Sequence, residues 1–260
     1  MSMLIVNWKE FLDKPVESAL SIGVFDGIHI GHQELIKCII DEGPNPTVIS
    51  FTKNPKKVFD PAQFRGDIYT IRQKIDIFQK MGLSRLVLID FSLDFGKMRG
   101  RDFVDLLNNP GKMVFMAVGS NFRCGYKQDT GVDFIQEYIN NKGIPVRVLP
   151  PVIFMGEPVS SSRIRNAIHL GALEEAAVLM GRNVQIDLRG IIAEPCAIAQ
   201  ADAQAYSYDL LSAGIITPAD GSYNVLMYAE GEDEPPKNAV IIIEKGKLVL
   251  PEKADTLEFI

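Results

Sequence analysis

Cysteine is scarce in this sequence and badly placed for pairing. Its three residues, Cys38, Cys124 and Cys196, lie far apart among 260. An odd number at such spacings excludes a disulfide framework and lacks the paired spacing of a zinc site. A reducing cytoplasm is the expected compartment. No apolar run reaches the length of a membrane-spanning helix, so no membrane partner is expected. The opening stretch MSMLIVNWKEFLDK has no basic start, no sustained apolar core and no small-residue cleavage site, and so does not read as a signal peptide. Internal repeats are absent, and so is any stripe of basic residues.

What is present is an ordinary globular composition, 47% apolar and 23% charged, with a length that suits one large domain or two modest ones. The net charge of −6 is unevenly spread: residues 1–182 hold 22 Lys+Arg against 20 Asp+Glu, residues 183–260 only 5 against 13. An acidic C-terminal portion is a poor surface for nucleic acid, whose phosphates need clustered cations, and no nucleic-acid partner is expected. The same asymmetry predicts a domain boundary near residue 182.

The first portion alternates apolar runs with amphipathic stretches. Residues 18–25, 46–52, 84–91, 113–119 and 145–149 read as short buried strands. Between them, residues 32–42, 70–81, 101–108 and 131–142 read as helices. The clearest spans Thr70–Met81, with Ile71, Ile75, Phe78 and Met81 on one stripe, Thr70 as N-cap and Gly82 as the stop. This alternation predicts an α/β domain with a parallel sheet, in which ligands bind beyond the carboxyl ends of the strands. From residue 183 the pattern changes to short strands at 183–193, 222–229, 239–244 and 247–250, with a hairpin turn at Gly246 and a surface loop over Glu230–Lys237. That predicts a small, mostly antiparallel β domain, an incomplete barrel.

Three polar clusters carry the chemistry. The first strand runs into Gly23-Val24-Phe25-Asp26-Gly27-Ile28-His29-Ile30-Gly31-His32 and then a helix. Glycines let backbone approach a ligand, and the new helix offers N–H groups and a positive dipole end to phosphate. His29 and His32, two of three histidines in the chain, can donate hydrogen bonds to phosphoryl oxygens; the alternative is a pair of helix-capping histidines. A catalytic zinc site is excluded, because the third histidine, His169, stands in another segment without a cysteine cluster. The second cluster, Gly119-Ser120-Asn121-Phe122-Arg123-Cys124-Gly125, follows the fourth strand, where Asn121 and Arg123 can meet phosphate, ribose or a base edge. The third, Ser160-Ser161-Ser162-Arg163-Ile164-Arg165, opens a helix running to Leu170. There hydroxyls, helix N–H groups and the Arg165 guanidinium suit an anion, and one serine is a cap.

The H-x-G-H turn with an S-S-S-x-I-R helix start resembles the nucleotidyltransferase superfamily. The fuller wording S-I-G-V-F-D-G-I-H-I-G-H, V-G-S-N-F-R-C-G and V-S-S-S-R-I-R-N-A-I resembles bacterial bifunctional riboflavin kinase/FAD synthetase, in order over residues 18–182. The resemblance implies a Rossmann-like adenylyltransferase domain over 1–182, which makes FAD and pyrophosphate from FMN and ATP with Mg²⁺. It implies His29, His32 and Arg165 as catalytic residues. Gly23, Phe25, Asp26, Gly27, Gly31, Asn121, Arg123, Ser160, Ser161 and Ser162 would bind ATP, and Phe51, Pro55 and Phe122 the flavin.

The sequence departs from the family in three places. An F-x-P-H-P loop is replaced by Phe51-Thr52-Lys53-Asn54-Pro55, and an aromatic by Cys124. After Arg182 the kinase turn P-T-A-N is missing, Ile191-Ile192-Ala193-Glu194-Pro195-Cys196-Ala197-Ile198 standing in its region. Residues 183–260 are therefore expected to be a degenerate or truncated kinase-like barrel without riboflavin kinase activity. Two alternatives stand beside this reading: a nucleotidyltransferase with another phosphorylated acceptor, and a non-catalytic nucleotide or flavin binder. The motifs do not specify metal ligands or oligomeric state.

Overall fold

The computed structural model describes residues 3–92, 94–108, 112–198, 201–229 and 235–260. Two compact units emerge: Met1–Phe64 with Lys74–Pro158, and Arg65–Gln73 with Val159–Ile260. The six-stranded parallel sheet ends in sequence at Leu149 and the seven-stranded antiparallel sheet begins at Gln185, and the units part at Pro158/Val159.

The first unit runs β1 (Leu4–Asn7), α1 (Trp8–Asp13), β2 (Ser18–Ile22), α2 (Ile30–Glu42), β3 (Thr47–Phe51), α3 (Pro55–Phe59), α4 (Ile71–Lys80), β4 (Arg85–Ile89), α5 (Gly100–Asn108) and β5 (Met113–Gly119). A two-residue ladder, β6 (Arg123–Cys124) and β7 (Thr130–Gly131), precedes α6 (Val132–Asn140) and β8 (Val146–Leu149), and a second ladder, β9 (Ile153–Phe154) and β10 (Glu157–Pro158), closes the unit. The first three residues of α4 cluster with the second unit. Six strands form a wholly parallel sheet in the order β1-β4-β3-β2-β5-β8. Alternation along each strand fills both faces. Leu20, Ile49, Met116 and Val118 join Phe11, Leu107 and Ile135 on one side. Ala19, Val48, Leu86 and Ala117 join Ile36, Ile39 and Phe78 on the other. The chain moves from β2 through β3 to β4 in one direction and returns to place β5 on the other side of β2. The topological switch point therefore lies between β2 and β5, where ligands of open α/β sheets bind.

All five strands expected in this unit form, each within a few residues of its predicted ends. The first strand and helix were not expected from sequence. β1 is an edge strand with Leu4 and Ile5 exposed, and α1 starts on an Asn7–Glu10 capping box.

The second unit contains α7 (Ser161–His169), α8 (Leu173–Met180), β11 (Gln185–Asp187), β12 (Glu194–Ile198), β13 (Ala201–Asp209), α9 (Leu210–Ala213), β14 (Gly221–Tyr228), β15 (Lys237–Glu244), β16 (Lys247–Leu250) and β17 (Thr256–Phe259). Seven strands make an open antiparallel sheet, β11-β17-β14-β15-β16-β13-β12. α8 ends where Gly181 takes the left-handed conformation at φ 68°. Lys245 and Gly246 turn the β15–β16 hairpin with φ of 50° and 79°, the double-positive turn that matches strand twist. The single strand expected over 183–193 is instead broken after Asp187 by a turn at Gly190, φ 87°, and a new strand begins at Glu194. Of the expected Glu230–Lys237 loop, residues 230–234 lie outside the described residues, and Lys237 already belongs to β15.

Candidate functional site

The loop after β2 is held in a conformation that side chains resist. Phe25 and Ile28 adopt φ of 50° and 37°, with Gly27 at 77° between them. A β-branched residue at positive φ costs about 1–3 kcal/mol and persists only where its surroundings enforce it. Here they do. The Val24 carbonyl accepts from Ser50 Oγ at 3.1 Å and from the buried Lys74 Nζ at 3.1 Å. The Ile28 carbonyl accepts from Gln33 Nε2 at 3.0 Å. The Phe25 ring is buried, edge-on to Phe78 at 5.8 Å and to His32 at 5.1 Å. The Phe25 ring thus packs against His32, and its backbone shapes the turn.

His29 is the N-cap of α2: its Nδ1 accepts the His32 backbone N–H at 3.3 Å. The capping alternative and the functional reading are therefore not exclusive. An accepting Nδ1 leaves the proton of the neutral ring on Nε2, which makes that nitrogen a donor. The His29 and His32 rings stack with centroids 3.6 Å apart and an 18° interplanar angle. A Cβ at Gly31 would stand 3.3 Å from the His29 ring, so glycine gives this imidazole its room. Gly23 likewise admits the Phe25 ring, at 3.2 Å from a would-be Cβ. Asp26 is buried in the same turn.

The second cluster follows β5, the strand beside β2 at the switch point. Asn121 is exposed. Arg123 is exposed too, and its Nε donates to the Gln128 carbonyl at 3.0 Å, which fixes it to its own loop. Phe122 packs partly buried against the core that contains Phe11 and Val118. Burial pushes the Cys124 thiol up to about 12, so the residue standing where an aromatic was expected is an inert, protonated filler. Phe51 ends β3 edge-on to Phe91 at 5.4 Å, and Pro55 is the first residue of α3, capped by the buried Asn54.

The third cluster belongs to the second unit. Ser160 is the N-cap of α7, its Oγ accepting from the Arg163 N–H at 3.2 Å, so one of the three hydroxyls is a cap as expected. Ser161 and Ser162 occupy the first turn. Arg163 donates to Glu175 of α8 at 2.8 and 3.1 Å, a structural pairing. Arg165 Nε donates to the Gly66 carbonyl at 2.9 Å. His169 is exposed at the end of α7.

Ser50, Lys74 and Gln33 were missed from sequence. Lys74 had a readable signal: it falls on the stripe of Ile71, Ile75 and Phe78, a buried position that a lysine occupies only with a partner. Among the described residues, no group of three or more His, Cys, Asp or Glu is placed to hold a metal ion.

A parallel α/β sheet with a glycine-bracketed, histidine-capped helix start at its switch point defines a Rossmann-like class of protein. Residues 12–163 match the FAD synthetase family; the chain belongs to it and is a nucleotidyltransferase enzyme. A FAD synthetase of Listeria monocytogenes is 29% identical over 169 residues, covering 63% of this chain and 68% of that protein. A bifunctional riboflavin kinase/FMN adenylyltransferase of Escherichia coli K12 is 24% identical over 227 residues, 84% of this chain and 70% of that one. For the enzyme so named in Buchnera aphidicola from Acyrthosiphon pisum, identity is 26% and the match spans 57% of its length. A crystal structure described as a macrolide-efflux protein from Streptococcus pneumoniae superposes with a TM-score of 0.78 at 22% identity, covering 99% of this chain and 89% of that one. That likeness concerns fold alone. Among the described residues no helix is long and apolar enough to cross a membrane.

Proposed function

We propose that this chain transfers AMP from ATP to FMN, giving FAD and pyrophosphate, with Mg²⁺ accompanying ATP. The observation that carries this reading is the capped and stacked His29–His32 pair on the strained turn at the switch point. The FMN phosphate is already an anionic nucleophile, so the reaction needs no strong base and no covalent intermediate. One of its oxygens attacks the α-phosphorus of ATP in line, and the bond to pyrophosphate breaks. Positioning and charge stabilisation then supply the catalysis.

In this reading His29 Nε2–H and the His32 ring donate to phosphoryl oxygens as charge builds on them. Arg165 serves the phosphates as a bidentate cation, and Ser161 and Ser162 hold nucleotide at the start of α7. Gly23, Gly27 and Gly31 belong to the triphosphate site through their backbone, the room over Gly23 and Gly31 being taken by the Phe25 and His29 rings, while Asn121 and Arg123 serve the nucleoside. Mg²⁺ neutralises phosphate charge, with Asp26 as the carboxylate for it in this turn. Phe51, Pro55 and Phe122 are assigned to the flavin. Residues 1–182 form the adenylyltransferase module of a cytoplasmic enzyme, and residues 183–260 a degenerate kinase-like module whose riboflavin kinase activity is lost with the P-T-A-N turn.

Paired chromatographic assays with Mg²⁺-ATP test this. FAD from FMN, with no FMN from riboflavin, is the expected result. FMN formed from riboflavin contradicts the loss of kinase activity. No FAD from FMN contradicts the assigned acceptor.

A further inference from the structure

The segment Arg65–Gln73 leaves the first unit in sequence and packs as part of the second. Its attachment is dense. Asp67 forms a parallel bridge with Ile215; its N–H donates to the Gly214 carbonyl at 2.9 Å, and its carbonyl accepts from the Ile216 N–H at 3.0 Å. Thr70 Oγ1 donates to the buried Asp187 Oδ2 at 2.9 Å. Arg182 Nε donates to the Tyr69 hydroxyl at 3.1 Å, with its guanidinium 5.1 Å above that ring. Gln73 Nε2 reaches the Gln185 carbonyl at 3.3 Å. Every one of these partners belongs to the second unit, most of them to its antiparallel sheet and the loop that precedes β14.

Gly66 lies within this strip at φ 105°, and a Cβ there would stand 2.5 Å from the Ile216 nitrogen and 2.6 Å from the Ile215 carbonyl carbon. Backbone cannot yield to such a contact without displacing the strip, so only glycine fits. Its carbonyl oxygen accepts from Arg165 Nε at 2.9 Å. A guanidinium is planar, so a bond at Nε fixes the plane in which the terminal nitrogens present their fork.

We propose that Gly66 is a positioning residue for Arg165, and that the loop Gly214–Ile216 together with Asp187 of β11 holds the strip whose Gly66 carbonyl fixes the plane of this guanidinium. The proposal rests on the reading of Arg165 given above. It gives residues 183–260 a task in adenylyl transfer that needs no kinase chemistry of their own.

A double-mutant cycle tests it, with wild type, Gly66→Ala, Arg165→Lys and the double variant, all full length. Gly82→Ala is the strain-matched control, since Gly82 has φ 86° and a Cβ there meets nothing within 4 Å. Gly66→Ala is expected to raise KM for ATP about tenfold, the scale of a charged hydrogen bond, while Gly82→Ala leaves it unchanged. In the Arg165→Lys background the same change is expected to cost less than about twofold, because residues acting as one unit are not additive. A merely structural loss lowers the active fraction and leaves KM in place, which overturns the proposal; so does an equal cost in both backgrounds. If Gly66→Ala does not fold, Thr70→Val, which removes one anchor of the strip, replaces it in the same cycle, with a smaller rise expected. If wild type forms no FAD, the proposed activity fails instead. The cycle is then read on ATP binding by calorimetry, where overlap supports the positioning role and additivity overturns it.

Discussion

His29 Nδ1 accepts the backbone N–H of His32 at 3.3 Å while the two rings stack 3.6 Å apart. One residue thus caps the helix and fixes the orientation of a hydrogen-bond donor. The two tasks are separable by substitution. Asparagine is among the best N-caps, so His29→Asn is expected to keep the cap and change stability by less than about 0.5 kcal/mol. The same variant is expected to lose about 10²–10³ in kcat for FAD formation, the cost of one transition-state donor. Thermal unfolding and steady-state rates on the same sample check this. Full activity in His29→Asn contradicts a donor role for the imidazole.

Asp187 is buried and accepts from Thr70 Oγ1, from Arg72 Nη1 at 3.3 Å and from Arg189 Nε at 2.8 Å. Asp187→Ala leaves those donors without their acceptor. The two arginine side chains are 49% and 35% exposed and rehydrate once released. The expected cost is therefore about 2 kcal/mol, below the roughly 3–5 kcal/mol of breaking a fully buried pair, measured by urea unfolding at neutral pH. A change below about 0.5 kcal/mol contradicts this account of the strip's anchoring.

Asp105 receives the Lys142 ammonium at 2.7 Å and the Tyr138 hydroxyl at 2.6 Å, which hold its carboxyl below the ordinary value of 3.8. Because the folded value is depressed, its contribution to stability is present above the ordinary value and fades as pH falls through the folded one. The Asp105 side chain is 42% exposed, so solvent screening limits the contribution to about 0.5 kcal/mol. Asp105→Asn is expected to lower Tm by about 1–2 °C at pH 7, and the difference is expected to vanish at the acid end of that window. A difference that persists there points to packing rather than charge.

The Cys124 thiol, raised to about 12, stays protonated throughout the neutral range. Alkylation at pH 8 is expected to modify Cys124 far more slowly than an unfolded-chain cysteine, and Cys124→Ala is expected to leave the pH profile of FAD formation unchanged between pH 6 and 9. Peptide mapping after timed alkylation checks the first expectation, and initial rates check the second. Rapid labelling of Cys124 contradicts its burial.

The parallel sheet was legible because its strands are short, fully apolar runs bounded by turn residues, and helices such as Thr70–Met81 carry a clean period. β1 was not, since an edge strand with Leu4 and Ile5 exposed has no buried run to read, although the Asn7–Glu10 capping box stands in the sequence. In the candidate site, His29, His32, Asp26 and the serines of α7 announce themselves by residue type and place. The supports do not. Ser50 bonds to the carbonyl of Val24, just before the strained Phe25, and Gln33 to that of the strained Ile28, and no pattern marks which carbonyl a positive φ at Phe25 or Ile28 will leave open. Gly66 is equally silent, because the contact that forbids a Cβ there comes from Ile215 and Ile216, some 150 positions away. The break after Asp187 was hidden for a similar reason: the carboxylate is drawn inward by Thr70 and Arg72 from a distant segment, and the strand ends to meet them.

The central claim is that the α-phosphorus of ATP ends up in the flavin product. The direct measurement uses ATP radiolabelled at that phosphorus, incubated with FMN, Mg²⁺ and the purified protein, with products separated by chromatography. The account predicts label in FAD, unlabelled pyrophosphate in equal amount, and loss of both in the His29→Asn, His32→Ala double variant. Label confined to AMP or ATP, with FMN unchanged, contradicts it.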